Sequence, residues 1–169
     1  MSQYLLLKQG TIHNAVDEEA FVADILIEDG KIKKIAPVLE GKVINEAAVI
    51  DAMGIDVYPG FVDAHCHLGL DGYAVGFAGQ DFNELGDPVT PQLSAVDAIN
   101  PQDETFRMAR EGGVTCVSTG PGSSNVIGGT FCNIKTYGNR VDDMIVREKS
   151  AMKIAFGENP KNCYKEKGV

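Results

Sequence analysis

The stretch from Asp56 to Leu70, DVYPGFVDAHCHLGL, restricts the fold more than any other. A short apolar run enters through Pro59-Gly60 and carries His65 and His67 one residue apart. It then opens into a loop rich in Gly, Asp and Pro that lasts to about Asn100. A strand that feeds a long loop at its carboxyl end is how α/β folds build their sites. Alternate side chains of a strand share a face, so the two imidazoles lie together with Cβ atoms about 6.6 to 6.8 Å apart. From there both can reach one ion at the roughly 2.0 to 2.1 Å of a zinc–nitrogen bond. Cys66 faces the packing layer instead. Asp63 is placed on the histidine face, where a carboxylate can accept from a ligand imidazole and set its tautomer. An H-x-H pair outside such a setting is more often surface or core without a ligand, and here the setting favours a metal. His13 lacks it and reads as an exposed strand or turn residue.

Around this stretch the chain divides in two. Residues 1–57 read as β, with short Ile- and Leu-rich runs broken by turns. ILIE-DG-KIKKI is a hairpin signal, because Asp-Gly suits a type I′ turn. Ile32 and Ile35 break its alternation. The first part is therefore expected to be a small antiparallel sheet. Residues 58–169 alternate strand, helix, strand, loop and strand, the pattern of βα units and a parallel sheet. NPQDETFRMAREGG reads as a helix with Asn100 as cap, Pro101 at its first position, acids in the first turn and a Gly-Gly stop.

Composition closes several classes. The 169 residues carry a net charge of −9. That argues against nucleic acid as a partner, since counterion release needs clustered Lys and Arg. KIKK, Lys31 to Lys34, reads as a solvated strand face. No apolar run approaches the roughly 20 residues of a membrane span, and the N-terminus lacks the basic and apolar regions of a secretory signal. A cytoplasmic protein is expected. Cys66, Cys116, Cys132 and Cys163 are too scattered for a disulfide framework or a thiolate zinc site and read as reduced thiols.

VIDAMGIDVYPGFVDAHCHLGL closely resembles the opening of the amidohydrolase superfamily of metal-dependent hydrolases, with a flavour of the imidazolonepropionase-like and related cyclic-amidohydrolase branch. GVTCVSTGPGSSNVIGG is similar to the second barrel strand and loop of these enzymes. The resemblance covers essentially the whole chain. It implies an α/β fold: part of a small antiparallel β-sandwich, then about the first three strands of a (β/α)8 barrel. It further implies hydrolysis of non-peptide carbon–nitrogen bonds in an amide or cyclic amide. One or two divalent ions, commonly zinc, are implied as cofactor, with His65 and His67 as ligands. In some branches an acid at the end of the third barrel strand also binds the metal, and Glu158 stands in that sort of place; a helix-start carboxylate stabilised by the dipole is the equal alternative. Other branches bridge two metals with a carboxylated lysine. Lys153 is a weak candidate for that role, because it precedes the middle of its strand.

A full (β/α)8 barrel takes about 250 residues, far more than follow Val57. Two further histidines and a late aspartate, the family's general base, have no counterpart here. No catalytic residue is therefore assigned within the chain, and whether it is by itself an enzyme stays open. Two readings stand. The chain is the N-terminal part of an amidohydrolase, inactive alone; or it is a non-catalytic metal-binding module or half of a split barrel, self-associating or completed by a partner chain. The loop acids Asp71, Asp81, Glu84 and Asp87 read as solvated, with one of them able to touch substrate. STGPGSSNVIGGT reads as a flexible loop.

Overall fold

The structure is a computed structural model that describes residues 3–73 and 75–168. It divides into two compact units, one up to Pro59 and one from Gly60.

The first unit is one mixed sheet. Strands β1 (Tyr4–Ile12), β2 (Phe21–Glu28) and β3 (Lys31–Ala36) form an antiparallel meander. The turn between β2 and β3 has Asp29 at φ 49° and Gly30 at φ 76°, the two positive values a type I′ turn requires. Leu26 pairs with Lys34 but Ile27 with Ile32, so Lys33 is an extra residue. That bulge puts Ile32 and Ile35 opposite Ile27 and Ile25, on one face despite their spacing of three. The sheet is not wholly antiparallel as expected. Helix α1 (Lys42–Asn45) lies in a connection that carries the chain back, so β4 (Ala48–Asp51) and β5 (Asp56–Val57) both run parallel to β1. A crossover of that kind is what parallel pairing needs.

A second bulge, between Leu7 and Gly10 of β1, organises the buried Asp24. Gln9 takes φ 58° there, and Asp24 Oδ1 accepts from the Gln9 amide at 2.9 Å and from Gln9 Nε2 at 3.1 Å. Asp24 Oδ2 accepts from the Leu39 amide at 2.9 Å. Burial pushes this carboxyl up, but the bonds from Leu39 and Gln9 outweigh it and hold it below the ordinary value.

The second unit is a four-stranded sheet in the order β6 (Phe61–Cys66), β7 (Val114–Thr119), β8 (Ile127–Lys135), β9 (Ile145–Ile154). Helix α2 (Glu104–Glu111) connects β6 to β7, which pair in parallel. Its cap is Asp103, not Asn100: Asp103 Oδ1 accepts from the Thr105 amide at 2.9 Å, while Asn100 Oδ1 serves the turn before it, from Gln102. Beyond β7 the expected parallel order fails, because β7–β8 and β8–β9 are antiparallel. The connection from Gly120 to Val126 holds no helix and is too short for a crossover, so the chain can only turn back. Helix α3 (Val141–Met144) sits in the turn to β9, and α4 (Glu158–Tyr164) follows it.

Phe106 of α2, at 2% exposure, packs with Leu70, Ile99, Val117, Cys132, Ile134 and Met144. Burying such a ring is worth about 1.5–3 kcal/mol. It also shapes the loop after the histidines. Gly69 has φ 79°, and a Cβ there would lie 2.7 Å from the Phe106 ring, so only glycine makes this turn. The long loop that follows is pinned rather than loose: Asp81 N donates to Leu70 O at 2.7 Å, Thr90 N to Ile127 O at 2.8 Å and Thr130 N to Leu93 O at 2.9 Å. All four cysteines are free. No helix among the described residues is long and apolar enough to cross a membrane.

Candidate metal centre

His65 is the penultimate residue of β6 and His67 follows the strand's end. Their ring centroids are 5.3 Å apart with planes at 80°. His67 Nδ1 lies 2.6 Å from the Gly120 carbonyl oxygen. A carbonyl only accepts, so Nδ1 carries the proton and Nε2 is left with its lone pair, the arrangement a ligating imidazole adopts. Phe82, from the long loop, stacks on His67 at 5.4 Å and 25°. Phe131 of β8 lies 5.2 Å from His65.

Asp63 does not take the role expected of it. Asp63 pairs with Val117 and Cys66 with Thr119, so β6 has one residue more than β7 between these points. The bulge breaks the alternation that placed Asp63 on the histidine face. Its Oδ1 instead accepts from the backbone amide of His65 at 3.1 Å, and the bond that sets an imidazole tautomer comes from the Gly120 carbonyl. Cys66 packs away from the pair, with Sγ donating to Ser118 O at 3.6 Å and burial pushing its thiol up.

Glu158 is an exposed residue that opens α4. Among the described residues no three His, Cys, Asp or Glu side chains are grouped as a metal site, so the structure does not bring Glu158 to the histidines. The side chain it does bring is Lys153. Strand β9 ends at Ile154, so Lys153 stands near the strand's end, not before its middle. Its Nζ is 3.4 Å from His65 Nε2 and 6.0 Å from the Phe131 ring centroid. The sequence signal was its place just ahead of the IAFG that closes the strand. Nothing local marked Phe82, Phe131 or the Gly120 carbonyl, which reach the pair only through the sheet and the long loop. His13 hydrogen-bonds Asp56 at 2.9 Å and stacks on Tyr58 within the first unit.

No protein-family profile matches the chain. Over 97% of its length it superposes on an amidohydrolase from Thermotoga maritima MSB8 with a TM-score of 0.88 and 40% identity, which covers 42% of that chain. Amidohydrolase tasK of Hapsidospora irregularis is 33% identical over 156 residues, 85% of this chain and 16% of that protein. A dihydroorotase of Caldicellulosiruptor saccharolyticus is 42% identical over 69 residues, 41% of this chain and 16% of that protein. The chain therefore spans less than half the length of each. A mixed α/β fold with two sheets that superposes almost end to end on an amidohydrolase defines the class. The chain belongs to the amidohydrolase superfamily, and what it matches is the N-terminal portion.

Proposed function

We propose that His65 and His67 are the first metal ligands of a hydrolase that cleaves non-peptide carbon–nitrogen bonds in amides or cyclic amides. The observation that carries this reading is the pair itself: two imidazoles 5.3 Å apart at right angles, one with its tautomer set by a carbonyl. The similarity to an amidohydrolase and a dihydroorotase supports the reaction class. The donor set fits a divalent ion, since neutral imidazoles bind zinc without cancelling its charge. When bound, such an ion polarises the scissile carbonyl and acidifies a water.

The chain's own residues prepare that step. Gly120 holds the His67 proton on Nδ1, and the Phe82 and Phe131 rings limit imidazole rotation. Lys153, beside His65, is the residue that would bridge a second ion as a carbamate: Nζ loses a proton, the neutral amine adds carbon dioxide, and a second proton leaves nitrogen to water. In this reading β6, α2 and β7 are the opening βα unit of a (β/α)8 barrel, with the pair at the carboxyl end where such barrels place their sites. The described residues bring no third carboxylate or imidazole to the pair, so the chain alone binds metal without turnover.

In this reading the sheet is extended at its edges by further strands. β6 and β9 are the two edges of their sheet, and Val62, Val146, Ile154 and Phe156 on and beside them are exposed.

Equilibrium dialysis against zinc, with metal analysis, tests the centre. The native chain retains one or two equivalents, and His65→Ala or His67→Ala weakens retention by more than about 100-fold, or about 2.7 kcal/mol. Unchanged retention in the double variant, with its circular dichroism intact, refutes the reading. A cyclic-amide assay on the chain alone gives no turnover.

A further inference from the structure

His67 stands one residue beyond β6, past the last residue that pairs with β7. Two residues at the end of β7 hold it there. The Gly120 amide donates to Cys66 O at 3.3 Å, and the Gly120 carbonyl accepts from the His67 ring. Thr119 Oγ1 donates to Leu68 O at 2.8 Å. Residues 66, 67 and 68 are thus each tied to the corner made by Thr119 and Gly120. That corner is rigid. Thr119 is wholly buried and pairs with Cys66 on one side and Cys132 on the other, so its backbone is fixed in mid-sheet. A Cβ on Gly120 would lie 2.4 Å from the Phe131 ring, the ring that lies against His65. Of the three bonds, the one to Leu68 comes from a side chain, so it can be removed without touching a backbone donor.

We infer that Thr119 is a positioning residue for His67: its hydroxyl holds the Leu68 peptide, and through it keeps the imidazole against the Gly120 carbonyl. The consequence for zinc rests on the metal reading of the pair; the effect on the ring does not. The chain of cause is short. His67 Nδ1 is 2.6 Å from Gly120 O, and a hydrogen bond is lost by about 3.6 Å. A ring displaced by about 1 Å therefore gives up the bond that fixes its proton. Nε2 then carries the proton in part of the population, and that part has no lone pair there to offer a metal. Groups that orient a ligand imidazole in this way are worth about 10–100-fold in metal affinity.

The test compares variants of the whole chain. Thr119→Val keeps the shape and removes the donor, whereas Thr119→Ser keeps the donor. Thr136→Val is the matched control: Thr136 is 1% exposed, and its Oγ1 donates to Val114 O at 2.9 Å, at the opposite end of β7. Zinc affinity is read by competition with a chelator. The His67 tautomer is read from the ring ¹⁵N shifts of the metal-free chain at about pH 9, above the ordinary histidine value of about 6.5. Thr119→Val weakens zinc at least about tenfold and turns a single Nδ1–H tautomer into a mixture. Thr119→Ser stays within about threefold of the native chain, and Thr136→Val changes neither readout. Thr119→Ala gives the same losses as Thr119→Val, so the test does not hang on one variant folding. A native chain that holds no zinc, yet loses its single tautomer in Thr119→Val, supports the positioning role and refutes the metal reading alone. An unchanged tautomer in Thr119→Val and Thr119→Ala, or equal losses in Thr136→Val, overturns the inference.

Discussion

Asp24→Asn isolates one carboxylate whose three bonds are each accounted for. Oδ1 serves Gln9 twice, at 2.9 and 3.1 Å, and Oδ2 serves the Leu39 amide at 2.9 Å. An asparagine has one acceptor oxygen. If it keeps the Gln9 pair, its NH₂ meets the Leu39 N–H head-on; if it turns, the Gln9 donors are stranded. Either way at least one charge-assisted bond worth about 1.5–3 kcal/mol is lost and a buried donor goes unpaired. The expected cost is about 3 kcal/mol, a rise of roughly 150-fold in local opening. Native-state hydrogen exchange of the Gln9 and Leu39 amides reads it directly. The pH dependence supplies an independent check. Because the folded carboxyl is held below its ordinary value, it stabilises the fold above the unfolded value of about 3.9. That contribution is lost as pH falls through the folded value. The native chain therefore loses protection at these amides as the pH falls below about 4, and the variant shows no such step. Exchange that rises less than about twofold, or an unchanged acid step in Asp24→Asn, refutes the reasoning.

Tyr164, 1% exposed, has its phenol pushed up to about 12, chiefly by burial. A raised value means the contribution is whole below the unfolded value of about 10 and is lost as pH rises toward about 12. Tyr164→Phe, which also removes the hydroxyl's bond to Glu84 O, one of the two bonds to Asp87 O and one acceptor of Asn125 Nδ2, costs about 1–3 kcal/mol in thermal unfolding and removes the alkaline step. Lys153→Met abolishes the carbamate carbon resonance expected when the zinc-loaded chain is equilibrated with ¹³C-bicarbonate; a resonance that persists in the variant assigns the carbamate to another lysine.

The histidine pair was legible because its information is local. Two histidines one residue apart, at the end of an apolar run and before Gly69, need only the two-residue period of a strand to be placed together. The Asp29-Gly30 turn was legible for the same reason, since positive φ at both positions is a property of those two residues. The helix from Glu104 was visible too, although its cap was misplaced by three residues because Asn100 and Asp103 are both good caps. Asp63 failed for a nearby reason: one extra residue in β6 opposite β7 reverses a face, and no single-strand pattern reports it.

What the amino-acid order settles alone in this protein is therefore what neighbouring residues settle: the strand whose end carries His65 with His67 just beyond it, the glycine turns, and the break between a β-rich first part and an α/β second part. Tertiary structure decided what depends on partners distant in the chain. It turned β8 and β9 antiparallel, brought Gly120 to His67 and Lys153 to His65, and set Glu158 apart from them. The physical cause is that strand direction and side-chain neighbours follow from the length of each connection and the register it closes, and a bulge of one residue is enough to change both.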